Sequence, residues 1–151
     1  MTRSSSAIVL LLNGPNLNLL GSRQPEIYGT AKLTDHVANL EGEANKHGFV
    51  VESYQSNSAS ELIDHIHGAR GRCAAIIINP GAFTHYAWSL SDALSTFDGP
   101  VVEVHLSNPS ARESWRHVSV IAPVAIGTIA GFGGHGYVLA MQAIAKQLAD
   151  V

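Results

Sequence analysis

Strands alternating with amphipathic segments predict an α/β fold, a doubly wound parallel sheet with helices on both faces. Two observations carry that expectation. Short apolar runs at residues 8–12, 49–54, 74–78, 100–104 and 122–130 are separated by polar turns, and helical periodicity fills the first three intervals between them. The run I-V-L-L-L at 8–12 is apolar at every position, which suits a strand buried on both faces.

The first strand, Ile8 to Leu12, stops at Asn13-Gly14-Pro15-Asn16, because Gly and Pro punctuate and Asn tolerates tight turns. Leu17 to Gly29 has no sustained helical period and is broken by Gly21, Pro25 and Gly29, so a long polar loop is expected. Loops of that length in compact domains are usually functional or disordered. Leu33, Val37, Leu40 and Ala44 then recur at helical spacing, with Thr30 or Thr34 as cap and Gly48 as stop. Phe49 to Tyr54 reads as the second strand. After a polar turn, Ser58 with Glu61 three residues on makes a capping-box pattern for a helix carrying Leu62, Ile63 and Ile66. Ala74 to Ile78 is the third strand and ends at Asn79-Pro80-Gly81. Residues 84–97 are predicted helical, with Leu90, Ala93, Leu94 and Phe97 on the apolar side. Pro100 to Val104 forms a short fourth strand that runs into His105-Leu106-Ser107-Asn108, and a loop with Arg112 and Arg116 follows. Residues 122–130 supply the fifth strand and 136–149 a closing helix.

Five strands in this length predict the flavodoxin-like order 2-1-3-4-5. Ligands in such sheets bind beyond the carboxyl ends of the strands, where the order reverses between strands 1 and 3. Three polar clusters fall there: Asn13 and Asn16 after strand 1, Asn79 and Gly81 after strand 3, and Glu103, His105 and Ser107 at strand 4.

At 151 residues the chain is expected to form one domain, with 1–6 as a flexible N-terminus. Charged residues are only 14% of it, against a usual fraction of about 25%. That is too little charge to cover the surface comfortably, so a homo-oligomer is expected. A net charge of -3 argues against nucleic acid or an anionic membrane as the main partner. The single Cys73 excludes an internal disulfide framework and fits a reducing cytoplasm. Ala7 to Leu12 is too short for a secretory core, and no run approaches the ~18 apolar residues of a membrane helix. A cytosolic protein is expected.

Two pairings carry chemistry. A phenol titrates near 10, so Tyr28 needs a cation to act as a base at neutral pH; a guanidinium at about 4 Å supplies ~4 kcal/mol at an effective dielectric near 20. Arg23 is the nearest candidate, unless both side chains simply face solvent. Glu103 and His105 are two apart on a strand and so share a face, where the carboxylate fixes the imidazole tautomer and supports its charged form. The alternative is a Glu103–Arg112 ion pair with His105 a bystander. Arg112 and Arg116, four apart, suit one turn presenting two cations to an anion, or else a solvated face. His85 and Asp92 lie two turns apart along one predicted helix face. Ser107 and the adjacent backbone N–H groups suit a carboxylate.

The segment Gly131-Phe132-Gly133-Gly134-His135-Gly136 is a literal G-x-G-x-x-G, but no strand with an acidic residue follows it, as dinucleotide binding requires. It reads instead as a tight, closely packed turn. The eight histidines form no recognisable metal motif, so no metal is expected. A nucleotide- or phosphate-binding module is the competing class, and the lack of a Gly/Ser/Thr-rich loop after strand 1 speaks against it. A structural oligomer with a degenerate site is the third, and intact Tyr28, Arg23 and His105 speak against that.

Several ordered motifs resemble the type II 3-dehydroquinate dehydratases. They are L-L-N-G-P-N-L-N-L-L-G at 11–21, R-Q-P-E-I-Y-G at 23–29, Q-S-N-S at 55–58, N-P-G-A-F-T-H-Y-A-W-S-L-S-D-A at 79–93, E-V-H-L-S-N at 103–108 and G-F-G-G-H-G-Y at 131–137. The resemblance implies a lyase that converts 3-dehydroquinate to 3-dehydroshikimate by anti elimination through an enolate, without cofactor or metal. That reaction serves the shikimate pathway of aromatic amino acid biosynthesis, or quinate breakdown. The resemblance also implies trimers assembled into a dodecamer. By the same resemblance, Tyr28 is the base, Arg23 the loop arginine that lowers its pKa, and Asn16 the holder of an enolate-stabilising water. His105 is the general acid, oriented by Glu103. Asn79, Gly81, His85, Leu106, Ser107 and Arg116 contact substrate, and Arg112 supports the loop. Asp92 reaches a neighbouring subunit's site.

Overall fold

The computed structural model describes residues 6–150. The expectation of a flexible segment at 1–6 therefore lies, apart from Ser6, outside the described residues. Strands β1 (Ala7–Asn13), β2 (Phe49–Gln55), β3 (Ala75–Asn79), β4 (Val101–His105) and β5 (Gly127–Ala130) form one parallel sheet in the order β2-β1-β3-β4-β5. The helices are α1 (Pro25–Tyr28), α2 (Leu33–Lys46), α3 (Ala59–Ala69), α4 (Trp88–Ser95) and α5 (His135–Ala149).

Alternation along the central strands builds two cores. Leu10 and Leu12 of β1 with Ile76 and Ile78 of β3 face α3 and α4, where Leu62, Ile66, Leu90 and Leu94 meet them. Val9, Leu11, Ile77, Val102 and Val104 point the other way, against Leu40 and Ala44 of α2 and Ala140, Met141 and Ile144 of α5. β1 is an interior strand, paired on both sides, which is why it has no polar residue before Asn13. At the switch point Asn13 stands opposite Asn79 in register, and the Gly14 N–H donates to the Asn79 carbonyl at 2.8 Å. A Cβ on Gly14 would lie 2.3 Å from the Pro80 carbonyl oxygen, so the two turns meet backbone to backbone only because that residue is glycine.

Several local expectations are corrected. The stretch after β1 is not a plain loop: Leu17–Leu19 makes a 3-10 turn and Pro25–Tyr28 a helical turn entered through Gln24 at φ 36. Pro25 supplies a preset φ at the first helical position. α2 is entered from Lys32, whose backbone N–H donates to the Asp35 carboxylate at 2.9 Å, rather than from Thr30 or Thr34. Ser58 precedes α3 without a side-chain cap bond. The Ser56 hydroxyl instead donates to Glu61 and accepts from the Ser58 N–H, moving the cap two residues upstream. The helix expected over 84–97 is split into a 3-10 turn at Gly81–His85 and α4 from Trp88, which removes His85 from the helix that carries Asp92. The fifth strand is confined to Gly127–Ala130, because Ala122–Val124 turns as 3-10 with Pro123 inside it.

The Gly-rich segment before α5 is the tight turn expected of it. A Cβ on Gly134 would fall 1.9 Å from Nδ1 of the buried His36, so that close approach between α5 and α2 needs glycine.

Candidate active site

The carboxyl ends of β1, β3 and β4 open on one cavity of about 250 Å³. Asn16, Arg23, Tyr28, Asn79, Gly81, His85, His105, Leu106, Ser107, Arg112 and Arg116 all line it. Glu103 is fully buried immediately behind His105. Asp92 is the exception: it stands exposed on α4 and does not reach this cavity.

Each strand end places its groups for a local reason. Asn16 adopts the left-handed conformation at φ 68, which Asn tolerates, and its backbone N–H donates to the Asn57 side chain at 3.0 Å. Asn79 is anchored at both amide ends and keeps a second Nδ2 hydrogen: Oδ1 accepts the Gly81 N–H at 3.2 Å, and Nδ2 donates to the Tyr137 hydroxyl at 3.1 Å. Tyr137, at the start of α5, in turn donates to Asn13 Oδ1. Burial pushes the Tyr137 phenol well above its ordinary value, only partly offset by the Asn79 bond, so it stays neutral and acts as a strut. The second amide end of Asn13, Nδ2, is buried without a partner among the described residues. We expect Tyr137→Phe to lower stability by about 1–3 kcal/mol, because two buried amides then lose a partner. Urea denaturation reads the effect, and an unchanged midpoint would remove Tyr137 from that supporting role.

On the side of the stretch from Arg23 to Tyr28, which forms the lid of the cavity, the Arg112 Nη1 donates to the Tyr28 hydroxyl at 2.8 Å and to Ser107 Oγ at 3.2 Å. The Arg23 guanidinium lies over the Tyr28 ring, 4.6 Å from its centroid. The cation on the phenol oxygen is thus Arg112, while the nearer residue in sequence, Arg23, covers the ring. Arg112 and Arg116 do not share one helical turn. Arg112 follows the 3-10 turn Pro109–Ala111, and Arg116 closes the next one, Ser114–Arg116, paired with Glu113 at 2.5 Å.

On the opposite wall, His105 Nε2 meets Glu103 at 2.6 Å, and Arg112 is not a partner of Glu103. Burial pushes the Glu103 carboxyl up, but hydrogen bonds from His105, Thr84 and Ser119 and the imidazole charge outweigh it and hold the carboxyl below its ordinary range. With the anion on that side, Nε2 carries a proton toward Glu103. His85 Nδ1 lies 2.8 Å from the Val118 carbonyl, which fixes its ring at the cavity rim.

Chemically the cavity joins a phenol held by a guanidinium to an imidazole backed by a buried carboxylate. Arg23, Arg112 and Arg116 make it suited to an anionic ligand. A base and an acid facing one small polar cavity fit the removal of a proton at one carbon and the departure of a hydroxyl from another. Thr84, Ser119, Thr128 and Tyr137 are functional neighbours that sequence reasoning missed. Thr84 and Tyr137 stand inside the motifs at 79–93 and 131–137, whereas Ser119 and Thr128 have no sequence signal, Thr128 meeting Glu103 through strand register. Among the described residues no three His, Cys, Asp or Glu side chains converge as metal ligands, and no helix is long and apolar enough to cross a membrane.

Comparison with known proteins gives a consistent picture. The family model described as Dehydroquinase class II matches residues 7–145. The chain is 48% identical over 143 residues to 3-dehydroquinate dehydratase 2 of Pseudomonas putida, covering 95% of this chain and 96% of that one. It is 53% identical over 135 residues to 3-dehydroquinate dehydratase of Desulforudis audaxviator, covering 89% and 90%. Among solved structures, type II dehydroquinase from Propionibacterium acnes superposes with a TM-score of 0.90 at 42% identity, covering 95% of this chain and 99% of that one.

Proposed function

The chain belongs to the class II dehydroquinase family, and on that premise we propose how its cavity dehydrates 3-dehydroquinate to 3-dehydroshikimate. The substrate is a β-hydroxy ketone. Its α-proton must go to a base, its ketone must carry the charge of an enolate, and its β-hydroxyl must leave as water.

Tyr28, as phenolate, takes the α-proton, and the C–H electron pair moves into the enolate. Arg112 sits on the phenol oxygen and Arg23 over the ring, which together hold the group at the cavity. Asn16 holds a water against the enolate oxygen. His105 then donates a proton to the departing hydroxyl as the C–O bond breaks, giving water and the conjugated product. The proton on Tyr28 returns to solvent and His105 is reprotonated, so the enzyme ends unchanged. Glu103 keeps the imidazole oriented and supports its cation. The backbone at Leu106 and Ser107 receives the substrate carboxylate. His85, Arg116 and Asn79 hold ring hydroxyls, and the Gly81 N–H keeps the Asn79 amide oriented. One domain carries all of these groups, and the protein works in the cytoplasm without a cofactor.

A homo-oligomer, trimeric and assembled to a dodecamer, completes this reading. Supporting it are exposed Tyr86, Trp88, Trp115 and Val118 around His85, an apolar surface that a monomer would leave in water. Asp92 is exposed one turn beyond Trp88 on α4, where it would face a neighbouring subunit. We expect Asp92→Ala to reduce turnover about tenfold with sedimentation unchanged, the scale of one lost charge-assisted hydrogen bond. A fully active monomer would contradict a shared site.

The observation that carries the function is the convergence of the Arg112–Tyr28 and Glu103–His105 pairs on one cavity. The test adds 3-dehydroquinate to purified protein with chelator present and follows the ultraviolet absorbance of the conjugated product. A rise that depends on Tyr28 supports the assignment. Folded, oligomeric protein that gives no rise would sink it.

A further inference from the structure

Ser119 is not among the residues so far assigned a part in the reaction, yet its bonding ties it to the carboxylate behind His105. Its Oγ accepts the backbone N–H groups of Ile121 at 3.1 Å and Ala122 at 2.9 Å, so both lone pairs are used. Its one proton is left to face Glu103, whose carboxylate oxygens are both 3.0 Å away, and the Thr84 hydroxyl beside them at 2.9 Å. Ser119 Oγ has no lone pair left to accept from Thr84. The Thr84 proton is thus committed to Glu103, with which Thr84 makes a close hydrogen bond. Thr128, in register on β5, adds a third and longer hydroxyl contact at 3.4 Å. Thr84 is only 1% exposed and Glu103 is fully buried, so no water shell competes with these donors.

We propose that Ser119 and Thr84 are positioning residues that set the acidity of His105 by holding Glu103 as a charge-dispersed carboxylate. The inference rests on His105 being the acid of the dehydration. A bare buried carboxylate would hold the imidazolium at Nε2 so strongly that the other ring proton, on Nδ1, would be slow to leave for the substrate. Hydroxyl protons on both oxygens spread its charge, so the carboxylate orients the imidazole yet lets the proton leave. Seen chemically, the pair gives up its proton as a unit. The other charged or titratable groups at the cavity are Arg23 and Tyr28 from the lid, His85 after β3, and Arg112 and Arg116 after β4. Tyr137 of α5 lies beneath Asn79. Among the described residues, none of these six hydrogen-bonds to Glu103.

The experiment compares the pH profile of kcat in Ser119→Ala, Thr84→Val and Thr84→Ser with wild type, alongside NMR titration of the His105 ring. Removing one donor from the carboxylate is expected to move the alkaline limb and the His105 titration upward by about one pH unit. It should lower kcat several-fold with little change in KM. Thr84→Ser keeps the hydroxyl and should restore the wild-type profile. Should the loss of the Ile121 and Ala122 caps unfold Ser119→Ala, the isosteric Thr84→Val decides. Superimposable profiles for Thr84→Val and wild type would overturn the inference, as would equal shifts in Thr84→Val and Thr84→Ser. A wild type without dehydratase activity, or a fully active His105→Ala, would instead overturn the underlying assignment of the acid.

Discussion

Tyr28→Phe is expected to lower kcat by at least about 10³-fold while leaving affinity for the substrate within a few-fold of wild type. The substitution removes one oxygen and nothing else. The ring that Arg23 covers at 4.6 Å stays in place, and so does its packing at the edge of the core formed with Leu17, Leu20 and Leu33. What disappears is the acceptor of the α-proton, together with the 2.8 Å bond from Arg112. That bond contributes about 1 kcal/mol to the lid at most, because Arg112 still reaches Ser107 and the site is part-exposed. A loss confined to kcat is therefore the signature of a missing base, whereas a collapsed lid would raise KM as well. Calorimetric titration with substrate, slow to turn over in this variant, supplies the affinity. A Tyr28→Phe enzyme that kept more than about a tenth of the wild-type kcat would remove Tyr28 from the role, since general-base catalysis is worth at least about 10²-fold.

The fold was largely legible because the signals were local. A strand such as Ile8–Leu12, apolar at every position, has few homes other than the interior of a parallel sheet, and β1 is indeed paired on both sides. The candidate site was legible in part for the same reason. Asn13, Asn79 and His105 sit at strand ends, and the order of the sheet brings those ends together. Partnerships across the chain were not legible. Arg23 drew attention because it lies near Tyr28 in sequence, yet the guanidinium on the phenol oxygen comes from Arg112, 84 positions away. Ser119 and Thr84 reach Glu103 from 16 and 19 positions away, on segments whose turns no periodicity announces. Ser and Thr are also common loop residues, so nothing in their identity separated them from solvated neighbours. The misplaced start of the helix after β3 has a similar cause. The backbone at Gly81–His85 is turned as 3-10 to bring Thr84 inward and His85 to the cavity rim, a tertiary demand that overrides the helical spacing of Leu90 and Leu94.

His105→Ala and Glu103→Gln separate the two jobs of the opposite wall. His105→Ala should lose both rate and affinity, about 10²–10⁴-fold in kcat, since donor and ligand contact vanish together. It should also cost stability on the scale of ~3–5 kcal/mol before relaxation, because Glu103 is left as a buried charge with only hydroxyls around it. Unchanged kinetics would transfer the acid role elsewhere. Glu103→Gln keeps the shape and removes the charge. The imidazolium then loses its anion, so the alkaline limb of kcat should move downward, and turnover at about pH 8 should fall more than at about pH 6. This shift is opposite in sign to that expected when the carboxylate keeps its charge and loses a hydroxyl donor at Ser119 or Thr84. A common structural disturbance around Glu103 would push all three variants the same way, so the signs distinguish it from tuning of a proton donor.

Acid stability offers an independent check on the same carboxylate. The Glu103 carboxyl is held below its ordinary value of 4.5, so the folded state binds that proton less readily than the unfolded chain. Its contribution is fully present above about pH 4.5 and is lost as pH falls through the lower folded-state value. Glu103→Gln cannot titrate there. The stability gap between wild type and Glu103→Gln should therefore narrow on acidification below about pH 4.5, as urea midpoints across that range would report. A constant gap would mean that the carboxylate's charge contributes nothing to the fold. Its burial behind His105 would then need another explanation than the stabilisation of an anion by its donors.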